Sequence, residues 1–252
     1  MRILILGVGG RMGHAVAQLA LAGARGVTAV YGVDPAGSVD GVVSYRRLSD
    51  AECDVDCIID FSHHGATGEL LAYALSERLP VVIATTGQTA EELRQIDAAA
   101  ADIPIFRSAN MSLGVALLKE LARMAAKMMP EAEIEIIEKH HDRKLDAPSG
   151  TALMLAEAIR EVRPESYPVC GRSGSGKRTR EEIGIHAVRM GNIVGEHEVL
   201  IGTDNQTISV RHTAHDRALF AEGALAAAEF LLRQPAGLYN MDDLIRAGSA
   251  AK

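Results

Sequence analysis

Residues 2–6, RILIL, run directly into GVGGRMG at 7–13 and then into HAVAQLALAG at 14–23. An apolar strand-like run, a glycine cluster and a helix-forming segment in that order restrict the chain to a strand–turn–helix opening, the first unit of a parallel α/β sheet. Glycines let the turn take backbone angles closed to other residues, and let backbone approach a pyrophosphate closely. The helix that follows offers unpaired N–H groups and the positive end of its dipole. The spacing is a variant. Counted from Gly7 and Gly9, the last glycine of G-x-G-x-x-G would fall on Met12. The match is instead Gly7, Gly10 and Gly13, with Gly9 additional. A structural turn without a ligand is the alternative; the position between strand and helix favours a dinucleotide.

The next acid at a strand end is Asp34, after VTAVYGV at 27–33. A carboxylate there suits the hydroxyls of an adenosine ribose. Pro35 and Ala36 follow, with no adjacent Arg for a 2′-phosphate, although Arg11, Arg46 and Arg47 are within reach of folding towards it. The expectation is NADH or NADPH, with NADH favoured. Strands are expected at 55–62, 79–87 and 103–109, with helices at ATGELLAYALSERL and at 89–101, where Thr89 and Glu92 have capping-box spacing. FSHH at 61–64 and ATTG at 84–87 then end strands on the cofactor side. His63 and His64 read equally as cofactor contacts or as solvent-facing loop residues.

The character changes after about residue 110. A long helix begins near Ser112, EAEIEIIE at 131–138 partly alternates like a half-buried strand, and a helix is expected over 150–162. Residues 163–182, rich in Gly, Ser and Arg, read as a loop. Strands are expected at 183–190, 196–202 and 206–213, then a helix at 218–232, with GSAAK at the end expected to fray. The formal charge of −7 argues against nucleic-acid or acidic-membrane binding through the whole surface. Cys53, Cys57 and Cys170 are too few for a disulfide framework and read as ordinary thiols. The N-terminus lacks the length and cleavage region of a signal peptide, and no run has the length of a membrane span, so a cytoplasmic enzyme fits.

Against that acidic background, EKHHDRKLDAPSGTA at 138–152 concentrates Lys139, His140, His141, Arg143 and Lys144 before Pro-Ser-Gly-Thr. A metal site is disfavoured: adjacent histidines diverge, no H-E-x-x-H occurs, and Asp142 and Asp146 complete no ligand set. Nucleic acid is disfavoured by brevity and the lack of aromatic residues. A small dianion fits better. A helix starting near Gly150 offers N–H groups to a carboxylate, Ser149 or Thr151 a hydroxyl, and His141 and Lys144 further donors. One histidine of near-neutral pKa would supply a proton. An exposed basic turn before a helix is the plain alternative.

EKHHDRKLDAPSGTA resembles the signature of the 4-hydroxy-tetrahydrodipicolinate reductase family, also called dihydrodipicolinate reductase, of the diaminopimelate–lysine pathway. GVGGRMG, ATTG, SANMSLGV, IGIHAVRMGNIVGEHEV, HTAHDRALFAEGALAAAEFL and GLYNMDDL match the family in order through nearly the whole chain. The resemblance implies an α/β chain with a Rossmann-type dinucleotide-binding domain, 1–110 and 218–252, and an inserted α+β domain with a mixed sheet, 111–217. The inserted domain would bind a small dicarboxylate and build a homotetramer, and domain closure would exclude water. Carried over by position, His140 is the general acid and Lys144 the second catalytic residue. His141 contacts substrate, and Gly150 and Thr151 hold a substrate carboxylate. Gly7, Gly10, Arg11, Met12, Gly13, Asp34, Thr85, Thr86, Gly87, Ala109, Asn110 and Met111 fall at cofactor positions, and Arg217 at the hinge. No metal, membrane or nucleic-acid partner is implied.

Two departures stand out. Met111 occupies a position where many members carry an aromatic residue. Asp142 replaces a common basic residue, and its charge is expected to favour the protonated form of a neighbouring histidine. Two rival readings remain at this point. Another nicotinamide-dependent dehydrogenase of amino-acid metabolism would act on aspartate or homoserine. An NAD(H)-sensing regulator would bind without turnover, and the chain shows no helix-turn-helix or basic tail to support it.

Overall fold

The computed structural model describes residues 1–250. In chain order the elements are β1 Arg2–Leu6, α1 Arg11–Leu21, β2 Ala29–Val33, β3 Val43–Tyr45, β4 Cys57–Asp60, α2 Thr67–Glu77, β5 Val81–Ile83, α3 Ala90–Ala99 and β6 Pro104–Arg107. Then come α4 Leu113–Met128, β7 Glu133–His140, α5 Gly150–Arg160, β8 Tyr167–Cys170, β9 Glu182–Arg189, β10 Gly195–Thr203 and β11 Gln206–Ala214. α6 Ala218–Leu231, β12 Gly237–Tyr239 and α7 Met241–Ala250 close the chain. Two compact units result: Met1–Leu113 with the chain from Arg217 onward, and Gly114–Asp216.

The first unit is a Rossmann-type sheet of seven parallel strands, ordered β12-β6-β5-β4-β1-β2-β3. β1 lies between β2 and β4, with Leu6 opposite Val33 on one side and Asp60 on the other. The order reverses there, so the loops after β1, β2 and β4 meet at one crevice, the usual ligand position in such sheets. Continuous apolar runs form these strands because both faces are covered. Leu4, Leu6, Ile58, Ile83 and Ile105 pack with Leu70 of α2 and Ile96 of α3. α1 and α6 touch each other and cover the other face. α6 is apolar nearly all round because it is buried nearly all round, Ala224 through Ala228 included. Thr89 and Glu92 form the expected capping box at the start of α3.

The second unit is a mixed five-stranded sheet, ordered β11-β10-β7-β9-β8. β7 runs parallel to β9 and antiparallel to β10. Its alternation sends Ile134 and Ile136 into a core with Leu118 and Ala122 of α4 and Leu155 and Ile159 of α5.

Three strands lie outside the sequence expectation, and all are short edge strands: β3, β12 and β8. β8 lies in the segment read as loop. Pro168 is tolerated in it because an edge strand leaves one side unpaired. α7 was also unexpected, and it runs on through Gly248, so any fraying of GSAAK does not begin there. Residues 251 and 252 lie outside the described residues. α1 starts three residues earlier than expected, since the glycine loop itself turns into the helix.

That early start makes Gly13 a first-turn residue, where a Cβ would lie 2.1 Å from the Gly7 carbonyl oxygen. Gly7 has a φ of +81°, and a Cβ on it would meet the Phe61 backbone at 2.7 Å. Gly13→Ala is expected to cost roughly 1–3 kcal/mol through overpacking against backbone that cannot swing aside. Urea unfolding measures this; an unchanged midpoint would show that the loop yields freely.

Candidate active site

At the carboxyl ends of the parallel strands, Gly7, Gly10, Asp34, Arg46, Arg47 and His63 are among the residues lining a cavity of about 780 Å³. Asp34 is held by three backbone donors. Its Oδ1 accepts from the N–H groups of Ala36 at 2.8 Å and Gly37 at 2.9 Å, and its Oδ2 from Gly9 N–H at 3.1 Å. A Cβ on Gly9 would lie 2.7 Å from Gly37 Cα, so the additional glycine lets the two loops touch. A carboxylate has about four lone-pair positions, so Asp34 keeps room for a ribose hydroxyl. Gly10 caps α1 with no side chain across its N-terminus. The cradle is one that side chains would fill, and it fits a dinucleotide pyrophosphate.

Arg11, Met12, Ala109, Asn110 and Met111 line a second cavity of about 340 Å³, with Arg217 of the same unit. Met111 is seated by Gly223 of α6, where a Cβ would fall 1.7 Å from the Met111 carbonyl oxygen. Thr85, Thr86 and Gly87 follow β5, and Gly87 takes a φ of +88°. His64 Cδ2 approaches that glycine, while His64 Nδ1 meets the Glu92 carboxylate at 3.0 Å. Glu92 is also the capping-box acid, so one carboxylate joins the α3 start to the His64 turn.

In the second unit the candidate side chains gather at the carboxyl end of β7. Glu138 and His140 share the phase of Ile134 and Ile136 and so point to the helix side. Glu138 is fully buried. Its Oε2 accepts from His140 Nδ1 at 2.5 Å and Arg189 Nη1 at 2.8 Å. Its Oε1 accepts from Ser149 N–H at 3.0 Å and Arg189 Nη2 at 2.7 Å. Burial alone would push this carboxyl up; the donors from His140, Arg189 and Ser149 outweigh it and hold it at about 2.

Ser149 caps α5, its Oγ accepting from Ala152 N–H, and the same Oγ lies 3.1 Å from His197 Nε2. His197 pairs in register with Glu138, and its ring stands edge-on to His140 with centroids 5.2 Å apart. Burial pushes the His197 imidazole down to about 4, with His140 adding to the effect and Glu138 opposing it. Lys144 Nζ pairs with Asp146 at 2.8 Å, and Arg189 Nη2 reaches the Asp146 carbonyl at 2.6 Å. His141 N–H donates to the Ile193 carbonyl, which fixes its backbone. Gly150 and Thr151 open α5 directly after the Ser149 cap.

His140, Lys144 and the α5 start are thus brought together. Asp142 pairs with Arg143 at 3.1 Å, and the carboxylate against His140 is Glu138. The chain turns after β7, whereas i,i+2 residues on one strand share a face, so Glu138 reaches His140 and Asp142 does not. Glu138, Arg189 and His197 were missed as site residues. Glu138 and His197 carried a signal, a charged or polar residue in the buried phase of EIEIIEKH and of GEHEVLI; Arg189 lies in neither stretch. Among the described residues no group of three or more His, Cys, Asp or Glu could hold a metal, and no helix is long and apolar enough to cross a membrane.

The chain matches the family model of the dihydrodipicolinate reductase N-terminus over residues 1–111 and that of the C-terminus over 114–245. The chain belongs to the dihydrodipicolinate reductase family. Relatives named 4-hydroxy-tetrahydrodipicolinate reductase include one from Caldanaerobacter subterraneus subsp. tengcongensis, 47% identical over 98% of this chain and 99% of its own length. Another, from Clostridium tetani, is 41% identical over 98% and 97%. The solved dipicolinate-bound dihydrodipicolinate reductase from Paenisporosarcina sp. TG-14 aligns over 96% of this chain and 98% of that one, at 26% identity and a TM-score of 0.81. Reductase family and observed fold agree in both units.

The pKa shifts at the β7 end set a pH dependence. An unfolded chain takes a proton on His197 as pH falls through 6.5, while the folded chain resists until about 4. Stability is therefore lost as pH falls across that window, by up to about 3 kcal/mol. Glu138 adds a further loss below its ordinary 4.5 as pH approaches its folded value of about 2. Urea unfolding of the parent and of His197→Asn at pH 7, 6, 5 and 4 checks this. The variant should lose less stability between pH 6.5 and 4; parallel curves would contradict the assignment.

Proposed function

We propose that this chain reduces the cyclic imine dicarboxylate derived from 4-hydroxy-tetrahydrodipicolinate to tetrahydrodipicolinate with NAD(P)H, in the diaminopimelate route to lysine. The observation that carries the reading is the joining of His140, Lys144 and the α5 start at one end of β7, in a chain matching the reductase family over both halves. Gly7, Gly10, Arg11, Met12, Gly13 and Asp34 would hold the cofactor with Thr85, Thr86, Gly87, Ala109, Asn110 and Met111. The bound reduced nicotinamide supplies a hydride to C4 of the substrate ring.

The chain's own groups do the rest. The N–H groups of Gly150 and Thr151, with the Thr151 hydroxyl, receive one substrate carboxylate at the positive end of α5. His141 contacts the substrate beside it. As electrons move onto the ring nitrogen, His140 delivers a proton there, and Lys144 stabilises the developing charge. Fixing the carboxylates sets the acceptor carbon and ring nitrogen in place, which is the entropic part of the rate gain. The dipicolinate in the Paenisporosarcina relative is a ring dicarboxylate of the class this arrangement suits. We further assign a homotetramer, supported by the sheet face opposite α4 and α5, where Ile137, Val188 and Leu200 are left half-buried or exposed.

In an assay of freshly generated substrate followed by absorbance of the reduced nicotinamide, His140→Gln should lower kcat by roughly 10²–10⁴-fold with little change in the KM for NADH. Lys144→Ala should harm both kcat and the dicarboxylate KM. Near-normal turnover in either variant removes that residue from the mechanism, and no turnover in the parent would end the reading.

For the cofactor, Asp34 favours NADH through the ribose diol, while Arg46 and Arg47 in the same cavity wall admit NADPH. The parent should give the higher kcat/KM with NADH, and Arg46→Ala/Arg47→Ala should lose NADPH use selectively. Equal efficiency of the two cofactors in the parent would overturn the preference.

A further inference from the structure

We infer that Glu138 is a positioning residue that fixes both the His140 ring and the start of α5, so that His140 Nε2 is the atom that gives up the proton. The inference rests on the reading of His140 as the proton donor. An ionised carboxylate only accepts hydrogen bonds. The 2.5 Å contact to His140 therefore requires a proton on Nδ1, and the proton available for transfer is the one on Nε2.

The other bonds to Glu138 explain why this carboxylate stays ionised although it is buried. Arg189 lies directly across from His140 in the β7–β9 register and binds both Glu138 oxygens. Ser149 N–H supplies the fourth donor. All four acceptor positions are filled, so neither carboxylate nor ring can turn without breaking bonds to buried groups. Through Ser149 the same carboxylate is tied to the residue immediately before Gly150 and Thr151, so one group sets the proton donor against the carboxylate anchor. The titratable groups around this set include His197, edge-on to His140, His212 opposite His197 in the β10–β11 register, and Lys144, paired with Asp146.

Gly195 supplies the complementary observation. It opens β10, and a Cβ built on it would lie 3.2 Å from His140 Nε2 and 3.5 Å from Cδ2. The backbone leaves clearance at the ring atom that the Glu138 contact presents. A ring free to rotate would tolerate a methyl group there; a clamped ring would not.

The test has three arms, in the full-length protein with NADH and freshly generated substrate. In the ¹⁵N-labelled parent, the imidazole nitrogen signals of His140, assigned by their loss in His140→Gln, should show a protonated Nδ1 in the neutral ring. A neutral ring protonated on Nε2 overturns the proposal. Glu138→Gln should lower kcat about tenfold or more, as loss of a tautomer-fixing carboxylate does. It should also raise the dicarboxylate KM, keep the NADH KM within about twofold, and add little in a His140→Gln background. Normal kcat, or losses that simply add, overturns it. Should Glu138→Gln not fold, Gly195→Ala keeps the Glu138–Arg189 pair intact and should itself cut kcat with the NADH KM unchanged. Normal kcat there means that the ring moves aside, and the proposal fails. Normal turnover in His140→Gln is a different outcome: it removes the proton donor itself, whatever Glu138 does.

Discussion

A fully buried carboxylate at the end of a central strand is the constraint on which the second unit turns. An uncompensated charge at Glu138 would cost several kcal/mol or lose its ionisation. Four donors prevent that: His140 from the same strand, two from Arg189 on the neighbouring strand, and one from the Ser149 backbone. The requirement reaches far along the chain. β7 must pair with β9 so that Arg189 lies opposite His140, and with β10 so that His197 lies opposite Glu138. A slip of one residue in either ladder would turn these side chains to the wrong face. The apolar residues Ile134, Ile136, Val199 and Ile201 lock the register that the polar cluster needs.

The nucleotide-binding unit answers a different problem with the same economy. Its loop must bring backbone close to an anion, which demands contacts that side chains would obstruct. Gly7 lies on the Phe61 backbone, Gly9 on Gly37, Gly13 on the Gly7 carbonyl, and Gly223 under Met111. Asp34 then ties the loop after β1 to the one after β2 through Gly9, Ala36 and Gly37. These contacts order the cradle's backbone in the absence of a ligand, and groups already in place lower the ordering cost of binding.

Much of this was legible in the sequence because it is periodic or local. The parallel strands of the first unit show as apolar runs, the Thr89–Glu92 capping box as a spacing, and the mixed sheet as alternation. The edge strands β3, β8 and β12 were not legible. Three or four residues carry too little pattern, and β8 holds a proline in a Gly-, Ser- and Arg-rich stretch. In the site, His140, His141, Lys144, Gly150 and Thr151 stood out because they are contiguous. Arg189 and His197 lie about fifty residues away and reach the site only through strand pairing. Glu138 was in plain view in EIEIIEKH, but a helix-facing phase for a glutamate makes sense only once its partners are known. Asp142 attracted attention for being next to the histidines in sequence, whereas the strand geometry favours the residue two before His140.

On the proposed mechanism a ring dicarboxylate binds at the β7 end, with His140 Nε2 presented to it. A crystal structure of the protein with NADH and dipicolinate tests this most directly. The ring nitrogen should lie within hydrogen-bond reach of His140 Nε2, roughly 2.6–3.2 Å or through one water. One carboxylate should rest on the N–H groups of Gly150 and Thr151, with Glu138 still bonded to His140 Nδ1. A ring nitrogen facing away from His140, or dipicolinate bound clear of the α5 start, would rule that mechanism out.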